Sequence, residues 1–124
     1  MANPNIVNLT NILGKTELIN LSTTSATQVL TNAASSGKVL KINSIYVTNI
    51  DGTNAANITI NLYDQAAMAG NAFPIASTIS VPANSSLVVV ERNAGIYIME
   101  DKSIGAIASA ANDLVVICSY EDIS

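Results

Sequence analysis

A strand-and-turn rhythm limits what this chain can fold into more than any other feature does. Short runs of Val, Ile, Leu, Thr and Tyr recur along it, and turn residues interrupt them roughly every 8–12 positions. The runs fall at 16–22, 26–31, 38–50, 57–62, 73–81, 87–91, 96–99, 103–109 and 114–120. Between them lie Thr23-Thr24-Ser25, Ala33 to Gly37, Asp51-Gly52-Thr53-Asn54, Pro82-Ala83-Asn84-Ser85, Asn93-Ala94-Gly95, Glu100-Asp101-Lys102 and Ala110 to Asp113. Such residues end strands because they impose or tolerate turn dihedrals. No amphipathic helix of useful length competes. Residues 64–72, small apart from Met68, read as a loop with at most one helical turn. About nine short strands at this spacing predict an all-β fold, an antiparallel β-sandwich of jelly-roll kind.

The strand patterns carry more detail. Ile58, Ile60 and Leu62 alternate with Asn57, Thr59 and Asn61, as a half-buried strand requires. In 38–50 the alternation runs Leu40, Ile42 and then changes phase to Ile45, Val47. That shift predicts a β-bulge or a strand buried on both faces. Strands 38–50 and 57–62 are expected to form an antiparallel hairpin around Asp51–Asn54, and 16–22 to pair with 26–31. Residues 1–15 stand outside the rhythm, with Asn3, Asn5, Asn8 and Asn11 punctuating Ile6-Val7, Leu9 and Ile12-Leu13. They read as an extended N-terminal arm preceding a sandwich domain over 16–124. An extended arm completes its own sheet or adds a strand to a neighbour's, main-chain hydrogen bonds supplying the affinity. Asn5, Ile6, Val7, Asn8 and Leu9 are the candidate inter-subunit contact.

The residues that perform chemistry are nearly absent. There is no His, and the one cysteine, Cys118, lies in the apolar run Leu114–Cys118. A buried free cysteine packs as a small hydrophobe, and a nucleophilic one needs a base this chain lacks. The nine carboxylates fall mostly in turns, and four Tyr and one Phe are too few for the platforms of a two-carboxylate glycosidase. The expectation is therefore no enzyme, no catalytic residue and no cofactor. No metal is expected either. Asp51–Asn54 lacks the alternating acidic ligands of a calcium loop, and Glu100-Asp101 could share a calcium with Asp113 only if their loops met at one end of the sandwich.

A net charge of −4 and the scattering of Lys15, Lys38, Lys41, Arg92 and Lys102 argue against nucleic acid as a partner. The longest apolar runs are about five residues, against roughly 20 for a membrane span, and the N-terminus lacks the pattern of a signal peptide. Half of the chain is hydrophobic (49%) and only 11% charged. Soluble monomers cover their surface with charge. This chain must use neutral Asn, Ser and Thr, or bury surface against partners. A carbohydrate-binding module is the rival reading, with loop Asn and Asp beside a ring of Tyr63, Tyr97 or Tyr120.

Several of these patterns together resemble a known group. The Asn-rich start Asn3-Pro4-Asn5-Ile6-Val7, the strands around Asp51-Gly52-Thr53-Asn54, and the tail Ser119-Tyr120-Glu121-Asp122-Ile123 are similar to those of small virion structural proteins of tailed bacteriophages, notably marine cyanophages. Where that group often has Gly-Asp, this chain has Glu100-Asp101. The resemblance implies a non-enzymatic particle component. Its expected form is a capsid decoration (cement) protein on the head exterior, made in the host cytoplasm and assembled as a homotrimer on the major capsid protein or other virion proteins. A neck, tail or fibre-base protein is the alternative placement.

Overall fold

The structure, a computed structural model, describes residues 4–124. Nine strands are present among them: β1 (Ile12–Asn20), β2 (Thr27–Asn32), β3 (Val39–Asn49), β4 (Ala56–Tyr63), β5 (Ala72–Val81), β6 (Ser86–Val90), β7 (Ile96–Ile98), β8 (Lys102–Ala108) and β9 (Leu114–Ile123). They form two antiparallel sheets. Sheet A has the order β1-β9-β3, with β6 and β7 lying end to end along the far edge of β3. Sheet B has the order β2-β8-β4-β5. If β6 and β7 count as one interrupted strand, there are eight, and apart from the β4–β5 pair successive strands alternate between the sheets in the jelly-roll pattern of paired Greek keys. The β-sandwich read from the sequence is the observed fold.

The inward residues of the two sheets make one core. Ile42, Ile45 and Val47 of β3 and Val116 and Cys118 of β9 face Ile58 and Ile60 of β4 and Ile104 and Ala106 of β8. Each fully buried Ile contributes roughly 1.5–3 kcal/mol relative to exposure. The phase change in β3 is a bulge: Ile42 pairs with Tyr120 and Ser44 with Ser119, leaving Asn43 unmatched.

Both expected hairpins are corrected. β1 pairs with β9, whereas β2 pairs with β8 in the other sheet. β3 and β4 likewise lie in different sheets. The link 50–55 crosses between sheets, which pack about 10 Å apart, and is too long for the two-residue turns that hold tight hairpins. Alternation states which face of a strand is buried, not which strand lies beside it. The arm also differs from its expectation. β1 already begins at Ile12, and Asn5–Asn8 is a turn rather than extended. The Asn8 amide donates to the Asn5 carbonyl (3.1 Å), and the Val7 amide donates to Asn5 Oδ1 (2.9 Å). An asparagine side chain captures the backbone two residues on in this way and bends it.

Residues 64–71 close over the outer face of sheet B. They contain a single 3-10 turn (Ala66–Met68) in which Ala67 and Met68 take left-handed φ of 57° and 58°. Such strain persists only where the surroundings impose it. Here the Ala67 amide donates to Thr31 Oγ1 (3.0 Å), the Met68 amide to Ser103 Oγ (2.8 Å), and that hydroxyl to the Gln65 carbonyl (2.8 Å). Met68 thereby sits directly over Gly105, whose missing side chain leaves the room. Among the described residues, none forms an equivalent loop across the middle of the outer face of sheet A.

Candidate interaction surface

Register alone assembles an apolar band across sheet A. Leu18 pairs with Ile117, Ile117 with Tyr46 and Tyr46 with Val88. Paired residues point to the same face, and their chain neighbours Ile19, Val116 and Val47 face the core. The four therefore form a row on the outside, from one edge of the sheet to the other. All four are exposed, Leu18 by 76%. The next row is Asn20, Val115, Thr48 and Ser86, whose last two hydroxyls hydrogen-bond at 2.9 Å.

Below the band the face turns polar. The β3 bulge opens a hollow of about 430 Å³ lined by Lys41, Asn43, Ser44, Tyr46, Arg92, Asn93, Ser119 and Glu121. Beyond it the face becomes apolar again. Pro4 and Ile6 come down beside Val39, Tyr97 and Met99 around a hollow of about 270 Å³. Val39 and Ile123 are paired on this outer side yet buried, because the N-terminal segment folds back over this end of the face.

The residues singled out in the arm fall as follows. Asn5, Ile6, Val7 and Asn8 are exposed, Val7 by 91%, and Leu9 is half-buried. Ile6 meets the apolar hollow, while Val7 points away from it into solvent. The tyrosines separate: Tyr63 and Tyr120 are buried, and Tyr97 is exposed. Tyr46, which sequence reasoning passed over, is exposed beside the polar hollow. Its signal was present, since a bulge that turns Ile45 and Val47 inward turns Tyr46 outward.

The ionisable groups serve structure. Asp122 Oδ2 accepts from Lys15 Nζ at 2.9 Å and Lys38 Nζ at 3.4 Å. Burial alone would raise its pKa, but these two ammonium groups outweigh it and hold the carboxyl below its ordinary value. Desolvation, aided by the charge of Glu17, pushes the Cys118 thiol up to about 12, far from a reactive thiolate. Burial and a hydrogen bond to Glu17 Oε1 (3.2 Å) push Tyr120 up to about 12 as well. The Thr53 amide, bonded to Asp51 Oδ1 at 2.8 Å, leads in lowering the Asp51 pKa, so this carboxylate shapes its own turn. Asp101 precedes β8 and Asp113 follows it, so the shared calcium site weighed from the sequence is split between opposite ends of the sandwich. No cluster of three or more His, Cys, Asp or Glu positioned for a metal occurs among the described residues. No helix among them is long and apolar enough to cross a membrane.

No protein-family model matches this chain, and neither does any curated protein. Solved structures do share its fold. One is a chain in the acidic stable capsid structure of Helicobacter pylori bacteriophage KHP30. The likeness covers 94% of this chain and 90% of that one, with a TM-score of 0.51 at 6% identity. Another is a chain of the T13 viral particle of infectious bursal disease virus. That likeness covers 93% of this chain and 31% of the other, again with a TM-score of 0.51 at 6% identity. The jelly roll described above is thus an architecture that viral shells also use.

Proposed function

We propose that this protein is a non-enzymatic structural component of a bacteriophage virion, a decoration (cement) protein that binds the capsid exterior as a homotrimer. The observation that carries the reading is the open outer face of sheet A, where an apolar row crosses four strand positions and a second apolar hollow lies at the N-terminal end. Exposed contiguous apolar surface of this kind marks an interaction site, and aromatic side chains such as Tyr46 and Tyr97 are enriched in interfaces. The fold shared with a phage capsid chain of similar extent supports the same reading. Ile6, Val7 and Leu9 are the inter-subunit anchors, with Asn5 and Asn8 closing the turn that presents them.

Incubation of the purified protein with undecorated heads, followed by sedimentation and cryo-electron microscopy, tests this. Ordered density on the capsid lattice is the expected result, and density confined to neck or tail would move the protein there. Removal of residues 2–9 should weaken both head binding and the trimer. A second reading, glycan binding, draws on the polar hollow beside the Tyr46 ring. A glycan array on which binding disappears with Tyr46→Ala would favour it.

A further inference from the structure

The edges of the two sheets are guarded unequally. Free strand edges invite pairing, and proteins blunt them with bulges, proline, charge or brevity. β2 is six residues long and carries a register shift after Gln28. β5 contains Pro74, two irregularities against β4, and Thr78 at a left-handed φ of 50°. The far edge of sheet A is broken into β6 and β7, with Glu91 and Arg92 between them. β1 is different: nine consecutive residues pair with β9 without a shift, and the strand has no proline. Reciprocal hydrogen bonds join Asn11 to Ser124, and the Leu21 amide donates to the Leu114 carbonyl at 3.0 Å, so the odd residues of β1 bond to β9. The N–H and C=O groups of Ile12, Gly14, Thr16, Leu18 and Asn20 therefore point to the open side, and all five residues are exposed.

The charges of β1 choose the occupant. Lys15 and Glu17 face the inner side of the strand, toward Asp122 and Tyr120. An arbitrary incoming strand would cover both charges without pairing them, which is unfavourable. A second copy running antiparallel about Thr16 sets Lys15 opposite Glu17 of the other copy, twice. The same register places Leu13 opposite Ile19, Thr16 opposite Thr16, and Leu18 opposite Gly14, where an added Cβ would meet nothing within 4 Å. Opposite charges and Thr–Thr pairs directly across strands are favourable. A slip of the register sum by two in either direction sets Lys15 against Lys15 or Glu17 against Glu17. The ammonium has three donors and the carboxylate two oxygens, so each serves its own chain and the neighbour together.

We propose that β1 is a homotypic interface: it pairs antiparallel with β1 of a second copy about a two-fold axis at Thr16, making sheet A continuous across two molecules. This goes beyond capsid binding and does not rest on it. Whatever ring other surfaces build, pairing through β1 makes the copy number even, so a trimer would be joined to a second trimer.

Thr16→Cys tests the contact. Thr16 is exposed, and Cys118 is buried, so a disulfide reports position 16 alone. Directly paired residues in a hydrogen-bonded position are about 5.5 Å apart at Cα, within disulfide reach. Mild oxidation of the folded variant should yield a covalent dimer at twice 12.8 kDa. Lys15→Glu should abolish that cross-link, and Lys15→Glu with Glu17→Lys should restore it even though the swap removes the Lys15–Asp122 pair. A folded Thr16→Cys protein that stays uncross-linked, or a double swap that fails to recover the dimer, overturns the proposal. So does cross-linking to another virion protein instead of itself. Head binding is read separately by sedimentation, so either idea can fail alone.

Discussion

The side-chain amide of Asn49 donates to the Val81 carbonyl at 2.9 Å, tying the end of β3 in sheet A to the end of β5 in sheet B. The same nitrogen reaches the Asn54 carbonyl at 2.9 Å, and Oδ1 accepts from the Asp51 amide at 2.9 Å. At the other end of β3, Asn32 of sheet B donates to the carbonyls of Lys38 (2.9 Å) and Ile98 (3.0 Å). Two buried asparagines thus clip the sheets together at opposite ends. Asn49→Ala strands a buried amide and two carbonyls, and leaving such groups unmade costs about 1–3 kcal/mol each where water cannot reach. A loss of roughly 2–4 kcal/mol in urea unfolding is expected, with a similar loss for Asn32→Ala. A loss below about 0.5 kcal/mol, the usual size of a surface change, would show that the clips do not hold the sheets.

Asp122 links stability to pH. Its folded pKa lies below the ordinary value, so the two lysines stabilise the fold fully above about pH 4, the unfolded carboxyl's range. That contribution disappears as pH falls through the lowered folded value. Asp122→Asn should cost about 1–2 kcal/mol at neutral pH. The gap between wild type and variant should close in acid. Urea midpoints for both proteins, measured from about pH 7 down to about pH 3, give the comparison.

Gly105 is held by contact, not by dihedral freedom. A Cβ there would stand 2.5 Å from Met68 Sδ and 3.0 Å from Tyr63 Cε2. Gly105→Ala should therefore displace Met68 and loosen residues 64–71, at about 1–3 kcal/mol. Met68→Ala on top of it should recover part of the loss. A double-mutant cycle by thermal unfolding measures the coupling, and strict additivity would separate the two residues.

Cys118 should be silent to alkylation. Its thiol is buried and its pKa is raised to about 12. Iodoacetamide at mildly alkaline pH should leave the native protein unmodified and label it fully in denaturant, as intact-mass spectrometry reads directly.

Tyr46→Ser separates stability from binding. The ring lies on the outer face, so the stability change should stay near 0.5 kcal/mol. Head binding should fall at least about fivefold if the apolar row is the contact, as central aromatic anchors commonly cost more than about 1 kcal/mol when truncated. Equal sedimentation with heads would remove the row from the interface.

Composition and periodicity carried the class of this fold, and particular residues show where they stopped. Ile58 and Ile60 alternate in sequence and lie in the core; Ile42 to Ile45 changes phase and bulges. Local pattern contains both facts. Partnership was hidden, because β1 meets β9 and β3 meets β9 across most of the chain's length, and nothing within either segment names the other. Asparagine misled in two ways. Asn5 bends the N-terminal segment that looked extended, and Asn32 and Asn49 are buried clips where neutral surface was expected. The apolar row was unreadable for a related reason. Leu18, Ile117, Tyr46 and Val88 are scattered in sequence and become neighbours only through register.

The place of β9 between β1 and β3 has a consequence for the order of events during synthesis. Sheet A lacks its middle until β9 has left the ribosome, although β1 is made first and β3 soon after. Until then Leu18 and Tyr46 belong to strands without a shared neighbour, and closing the longest loop in the sandwich is the step that joins them. Long-range pairing of this kind slows folding. The apolar row on the outer face of sheet A is therefore absent from the nascent chain and comes into being only once β9 has joined β1 to β3.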